Sequence, residues 1–223
     1  MNAKMFLLPV IVLPILFSVA CNDPVENGSA EDRSPSARSD SGESKPNKGS
    51  YAYDAAFLKK NTSKSLELTD AGGNSKVLLS ADYQGRVMTS TAGGNKGTSY
   101  GWLNYDLIAS PEKKKQFNPV GGEERFWLGP EGGQYSIYFK GKDSFTFPNW
   151  QVPAIIDTVT YDVVNADALS ATFKKKASIK NYSGTVFDIE ITRKVQLLST
   201  ENIASELKAN IDPSIAAVAY TTE

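Results

Sequence analysis

The chain contains no histidine, and its only cysteine is Cys21. Without imidazole there is no group that titrates near neutrality in its unperturbed state, and the metal sites left open are all-oxygen ones of the calcium type. No loop dense in Asp and Asn has calcium-site spacing, so neither a metal nor a cofactor is expected. A lone cysteine excludes disulfides, thiolate catalysis and cysteine-built metal centres. Neither sign of charge is in excess: the net charge is −1, which argues against a protein that tracks nucleic-acid phosphates. No P-loop, dinucleotide fingerprint or nucleophile elbow occurs, and Gly93-Gly94-Asn95-Lys96-Gly97-Thr98 has the wrong spacing for a phosphate cradle. The apolar run at residues 6–20 is shorter than the about 20 residues a spanning helix needs, and Pro9 and Pro14 interrupt it.

That short run has a different use. Lys4 precedes it, Ser18-Val19-Ala20 close it, and Cys21 follows, which is the layout of a secretory signal peptide. The junction resembles a bacterial lipoprotein lipobox, with Ser18 where leucine is usual. The resemblance implies cleavage before Cys21 and acylation of its thiol. The partner would be a lipid bilayer and the location the bacterial cell envelope, with several acyl chains needed for stable anchoring. Beyond Cys21, residues 22–50 are rich in serine, proline and charges of both signs, with Val25 the only large aliphatic side chain. Such a segment cannot bury enough apolar surface to offset its ordering entropy and is expected to be a disordered tether. The expected organisation is a signal peptide at 1–20, a tether at 21–50 and one folded domain at 51–223.

Within that domain the periodicity is that of strands. Residues 77–79, 86–91, 134–139, 158–164, 171–180 and 185–198 are rich in β-branched and aromatic residues. Val186, Asp188, Glu190 and Thr192 alternate with Phe187, Ile189 and Ile191, as in a half-buried strand. Asn181-Tyr182-Ser183-Gly184 predicts a hairpin turn between the two longest runs. Helical signals are confined to residues 54–60 and 200–208. The expected fold is an all-β antiparallel sandwich with one or two short helices. Residues 215–220 read as a further strand close to the last residue, and an unpaired strand there would leave a raw sheet edge. A longer sandwich, incomplete at its C-terminus, is therefore expected.

The least ordinary segment is residues 121–135, where glycines and a proline surround Glu123, Glu124, Arg125, Trp127 and Glu131. Loops that carry function on a sheet scaffold have this composition. Two readings stand: a ligand-facing loop, or a rigid knot in which Arg125 pairs with a neighbouring glutamate and Trp127 plugs the core. Trp102, Trp127 and Trp150 each lie beside polar or turn residues and offer the flat apolar face with a polar handle that suits a sugar ring. Arg125 beside Trp127 suggests a bidentate contact to an acidic sugar. The lysine triplets 113–115 and 174–176 are not interleaved with aromatics and are expected to be solvated turns or strand edges.

Residues 121–139, with Tyr83-Gln84-Gly85-Arg86-Val87-Met88-Thr89-Ser90 and Tyr100-Gly101-Trp102, resemble an uncharacterised family of Bacteroidota-type lipoproteins related to galactose-mutarotase-like β-supersandwich proteins. The resemblance implies a large antiparallel sandwich with a sugar-sized concave face. Sugar mutarotases typically pair histidine with glutamate as acid and base, and the histidine is missing here. The expectation is a lipid-anchored carbohydrate-binding protein with Glu123, Arg125, Trp127, Glu131 and Trp102 as ligand contacts. The alternatives are a carboxylate-dependent epimerase- or glycosidase-like enzyme, using two of Glu123, Glu124 and Glu131, and a structural envelope protein.

Overall fold

The computed structural model describes residues 45–223. The segments expected to be a signal peptide and most of the expected tether, with Cys21, lie outside the described residues. The domain begins with helix α1 (Tyr51–Asn61), capped by Ser50, whose hydroxyl accepts from the Tyr53 amide. Strands β1 (Ser65–Thr69), β2 (Lys76–Ser80) and β3 (Arg86–Thr91) then form a three-stranded antiparallel sheet with β2 in the middle.

The sequence of β2 explains its central place. Val77 and Leu79 point into one core and Leu78 into another, so the strand is apolar on both faces. On the Leu78 side, Tyr51, Ala55 and Leu58 of α1 pack with Met88 of β3 and with Leu107 and Ile108 of the short helix α2 (Tyr105–Ala109). On the other side lies a second antiparallel sheet, ordered β6 (Asp162–Ala166), β7 (Ser170–Lys180), β8 (Val186–Leu198), β9 (Ala217–Thr222). Ala171, Phe173, Ile191, Val195 and Leu197 from this sheet meet Leu68, Val77, Leu79 and Val87 from the first. Two sheets face to face over a common apolar core make an antiparallel, sandwich-like all-β fold. A third, two-stranded sheet joins β4 (Trp102–Leu103) to β5 (Gly121–Gly122). Helix α3 (Thr200–Leu207) links β8 to β9, with Ser199 as its cap.

The expected strands at 77–79, 86–91, 171–180 and 185–198 fall on β2, β3, β7 and β8. The hairpin turn is where Asn181 predicts it: the Asn181 carboxamide accepts from the Thr185 amide, and the Gly184 amide donates to the Asn181 carbonyl. Residues 215–220 overlap β9, which pairs with β8 along its length. Residues 134–139, in contrast, form no strand. The Tyr138 amide turns back to the Ser136 hydroxyl, and the Ser136 amide to the Gly133 carbonyl, so the segment folds on itself instead of joining a ladder.

One acidic residue ties the helix–strand connection to the far side of the domain. Asp82 accepts from the backbone amides of Ser63 and Lys64 and from the hydroxyls of Ser63 and Thr160. Burial raises its pKa, but these donors outweigh burial and hold the carboxyl below its ordinary value. A carboxyl lowered in the folded state adds stability that is present above the unfolded value of about 4 and is lost as pH falls through the folded value. Asp82→Ala should therefore cost about 1 kcal/mol at pH 7, solvent screening at this partly exposed site keeping the figure small, and less in acid, by urea unfolding at the two pH values. A loss that stays the same or grows on acidification would contradict this assignment.

Candidate functional site

The segment 121–135 is shaped first by glycine. Gly121 and Gly122 have φ of +95° and +109°, and a Cβ on Gly121 would fall 2.0 Å from the Trp102 carbonyl oxygen. A Cβ on Gly122 would meet Arg86 and the Val87 carbonyl, so only glycine lets β5 press against β3 and β4. The chain then stays close to β3: the Glu123 amide donates to the Val87 carbonyl, and the Glu124 carboxylate accepts from the Val87 amide.

This approach delivers the predicted residues to three different places. Glu123 lies beside Ser90 of β3, next in sequence to the β4–β5 pair that carries Trp102. Trp102 is 63% exposed and pairs in register with Gly122, and the Glu123 carboxylate accepts from the Ser90 hydroxyl at 3.0 Å. Partial burial lifts the Glu123 pKa above the usual carboxylate range, Glu124 adds to the rise, and Ser90 opposes it. Arg125 lies inside. Its guanidinium donates to Asp157 and to the Ile156 carbonyl, both at 2.8 Å, and packs against the rings of Phe117 and Trp127. Its ion-pair partner is thus Asp157 and not a neighbouring glutamate. Trp127 and Glu131 form a pair, the indole N–H donating to Glu131 Oε1 at 2.8 Å.

Sequence reasoning missed the cluster behind these residues. Arg193 of β8 is 1% exposed and donates from Nη2 to Glu124 Oε1 at 2.7 Å. Arg86 of β3, also buried, donates to the Gly121 carbonyl and to the Gln84 side chain, with no carboxylate in ion-pair contact among the described residues. Burial and the charges of Arg125 and Arg193 push the Arg86 pKa down to about 10, against the pull of Glu124 and Asp157. Arg86 is still protonated at neutral pH. Three guanidiniums therefore face two carboxylates inside the fold. The signal for Arg193 was present in the alternation of β8, where it follows Ile189 and Ile191 on the inward face.

Trp127 opens onto an aromatic array. It packs on Tyr138 at 5.6 Å, Tyr138 stacks on Trp150 at 5.7 Å, and Trp150 stacks on Phe147 at 6.0 Å. Phe147, at the end, is 70% exposed. Beside this array runs an open cleft of about 1240 Å³ with Tyr138, Phe139, Val152 and Tyr182 among its lining. Its walls are irregular segments stitched by backbone bonds: Gln151 amide to Tyr138 carbonyl, Val152 to Gln116, Tyr182 to Ser136 and Ser183 to Gln134. The side-chain amides of Gln134 and Gln151 reach it with no hydrogen-bond partner among the described residues. Gln134 comes from the end of the glycine-rich segment, so that segment backs the cleft with Trp127 and borders it with Gln134. Asp157 is its only carboxylate, and that group is held by Arg125 and by the Asn118 side chain and amide. Trp102 lines a smaller recess with Tyr53 and Tyr105 instead.

No group of three or more Asp, Glu, Cys or His side chains suited to a metal occurs among the described residues. No helix among them is long and apolar enough to cross a membrane.

Fold and site together define an antiparallel sandwich-like β-protein with an open cleft beside an aromatic array, at the β7–β8 hairpin turn. Residues 49–223 match a family of unknown function (DUF6786), and the chain belongs to that family. Comparison with curated proteins and with solved structures finds no match.

Proposed function

We propose that this domain binds carbohydrate, and that the cleft bordered by Gln134 and Gln151 is where the sugar sits. The observation that carries the reading is the make-up of the cleft, with aromatic side chains in its lining and, at its edge, side-chain amides that no protein group occupies. Sugars present the same alternation of C–H faces and hydroxyls, which aromatic rings and amides match. The volume exceeds that of a site for one small ligand, in keeping with an oligosaccharide. A mutarotase-like ancestry and a lipid anchor at Cys21 in the bacterial envelope fit this reading and belong to the same proposal. The tether would then hold the cleft away from the bilayer.

Binding is favoured over hydrolysis because the one carboxylate in the cleft is already committed to Arg125 and Asn118, whereas glycosidic cleavage uses two. The enzyme alternative rests on Glu123, whose raised pKa suits an acid and which accepts from the Ser90 hydroxyl. A glycan array probed with the full chain separates these readings. Binding is expected, with Gln151→Ala weakening it about tenfold at unchanged circular dichroism. Turnover that falls with Glu123→Gln would favour the enzyme. An array with no signal above background would leave the structural envelope role.

A further inference from the structure

The rim of the cleft carries more charge than its neutral-sugar chemistry needs. Lys113, Lys114, Lys115, Lys140, Lys142 and Lys180 all line it. None of the six has a carboxylate in ion-pair contact among the described residues, whereas Lys59, Lys76, Lys174, Lys175 and Lys176 elsewhere do. The two lysine triplets thus differ in kind. Lys174, Lys175 and Lys176 sit on β7 against Glu190 and Asp162, while 113–115 border the cleft without a carboxylate partner among the described residues, Lys113 with its ammonium over the Tyr83 ring. Lys142 holds a left-handed backbone at φ +76°, a conformation that disfavours any side chain with a Cβ. Beneath the rim, Asp157 connects the cleft to the buried arginines, where positive charge is also in excess.

We infer that the ligand is an acidic oligosaccharide, its carboxylate or sulfate groups read by this lysine rim. The inference rests on the carbohydrate reading above and narrows it to anionic chains. The lysines come from three separate segments, 113–115, 140–142 and 180, spread around a cleft much larger than one inorganic anion. Charges spaced along a chain engage all three segments, and a single anion engages one. The aromatic side chains in the lining supply what a bare polyanion site lacks, a surface for the sugar faces between the charges. The acidic specificity that the sequence suggested for Arg125 passes to these lysines, since Arg125 is spent on Asp157.

The test is calorimetric titration of the full chain in detergent with an oligogalacturonate, a sulfated tetrasaccharide, a neutral galactan tetrasaccharide, sodium sulfate and a single-stranded DNA oligonucleotide. Either acidic saccharide should bind at least about tenfold more tightly than the neutral one and lose affinity as salt is raised. Lys140→Glu/Lys142→Glu should remove about tenfold of that affinity while leaving neutral-saccharide binding and the melting curve in place. Equal, salt-insensitive binding of acidic and neutral chains would overturn the inference and keep the carbohydrate reading. Sulfate or DNA binding as tightly as the acidic saccharides, or no saccharide binding at all, would overturn both.

Discussion

Glu124→Ala should lower the unfolding free energy by about 3–5 kcal/mol, the loss found when one partner of a buried ion pair is removed. Glu124 is the carboxylate that meets Arg193, and the Arg193 side chain is 1% exposed while that of Glu124 is 10% exposed. Without it, the buried Arg86 and Arg193 and the partly buried Arg125 would face Asp157 alone, and Arg193 Nε already lacks a partner. The Val87 amide would lose its acceptor in the same step, loosening the contact of the glycine-rich segment with β3. Two controls separate charge from shape. Glu124→Gln keeps an acceptor for both donors and should cost less than alanine. Glu124→Leu combined with Arg193→Met removes one charge of each sign, leaves the balance between Arg86, Arg125 and Asp157 as it was, and should cost less than Glu124→Ala. Urea unfolding curves of the set measure the order directly. A loss below about 1 kcal/mol for Glu124→Ala would mean that Arg193 finds another partner or water.

Much of the sheet scaffold was legible because it follows from local alternation. The unbroken apolar run of β2 reports a strand covered on both faces, and the alternation in β8 places Ile189 and Ile191 on its inward face, although Phe187 at its start is exposed and the inward Arg193 beyond it went unread. The segment at 121–135 was legible as an irregular loop through its glycines, yet not as a divider. Its backbone sends Glu123 to one surface, Arg125 and Glu124 into the interior and Trp127 to the aromatic array. The cleft itself was hidden, since its walls come from segments far apart in the chain and are joined by bonds outside any regular ladder. Nor do residue types distinguish the two lysine triplets. What separates them is the cross-strand placement of Glu190 beside Lys174 and Lys176, a property of β7–β8 register. Residues 134–139 carry strand-forming side chains, but Ser136 captures the local amide that a ladder would have used.

Gly85→Ala should be nearly as damaging as the loss of Glu124, at about 2–4 kcal/mol. Gln84 and Gly85 both adopt left-handed backbone conformations in the turn that leads into β3, with φ of +64° and +69°. Gln84 is held there by a bond from its side-chain amide to the Val159 carbonyl and by one from Arg86 to its side-chain oxygen. Gly85 has a different constraint: a Cβ there would lie 2.4 Å from Cδ2 and 2.5 Å from Cγ of Phe173. Phe173 is completely buried on β7, so its ring cannot swing into solvent, and the turn or the sheet must shift. The consequence is a specific non-additivity. Phe173→Ala alone should cost about 3–5 kcal/mol as a cavity. In Gly85→Ala/Phe173→Ala the new methyl enters space the ring has left, so the double variant should be less destabilised than the sum of the two by about 1–2 kcal/mol. Simple additivity would place the cost of Gly85→Ala in backbone strain alone and remove Phe173 from the argument. The turn matters beyond stability, because it positions Arg86 to bond the Gly121 carbonyl. Strain at Gly85 should therefore loosen the glycine-rich segment where it begins, and hydrogen exchange at the Glu123 amide would report that loosening.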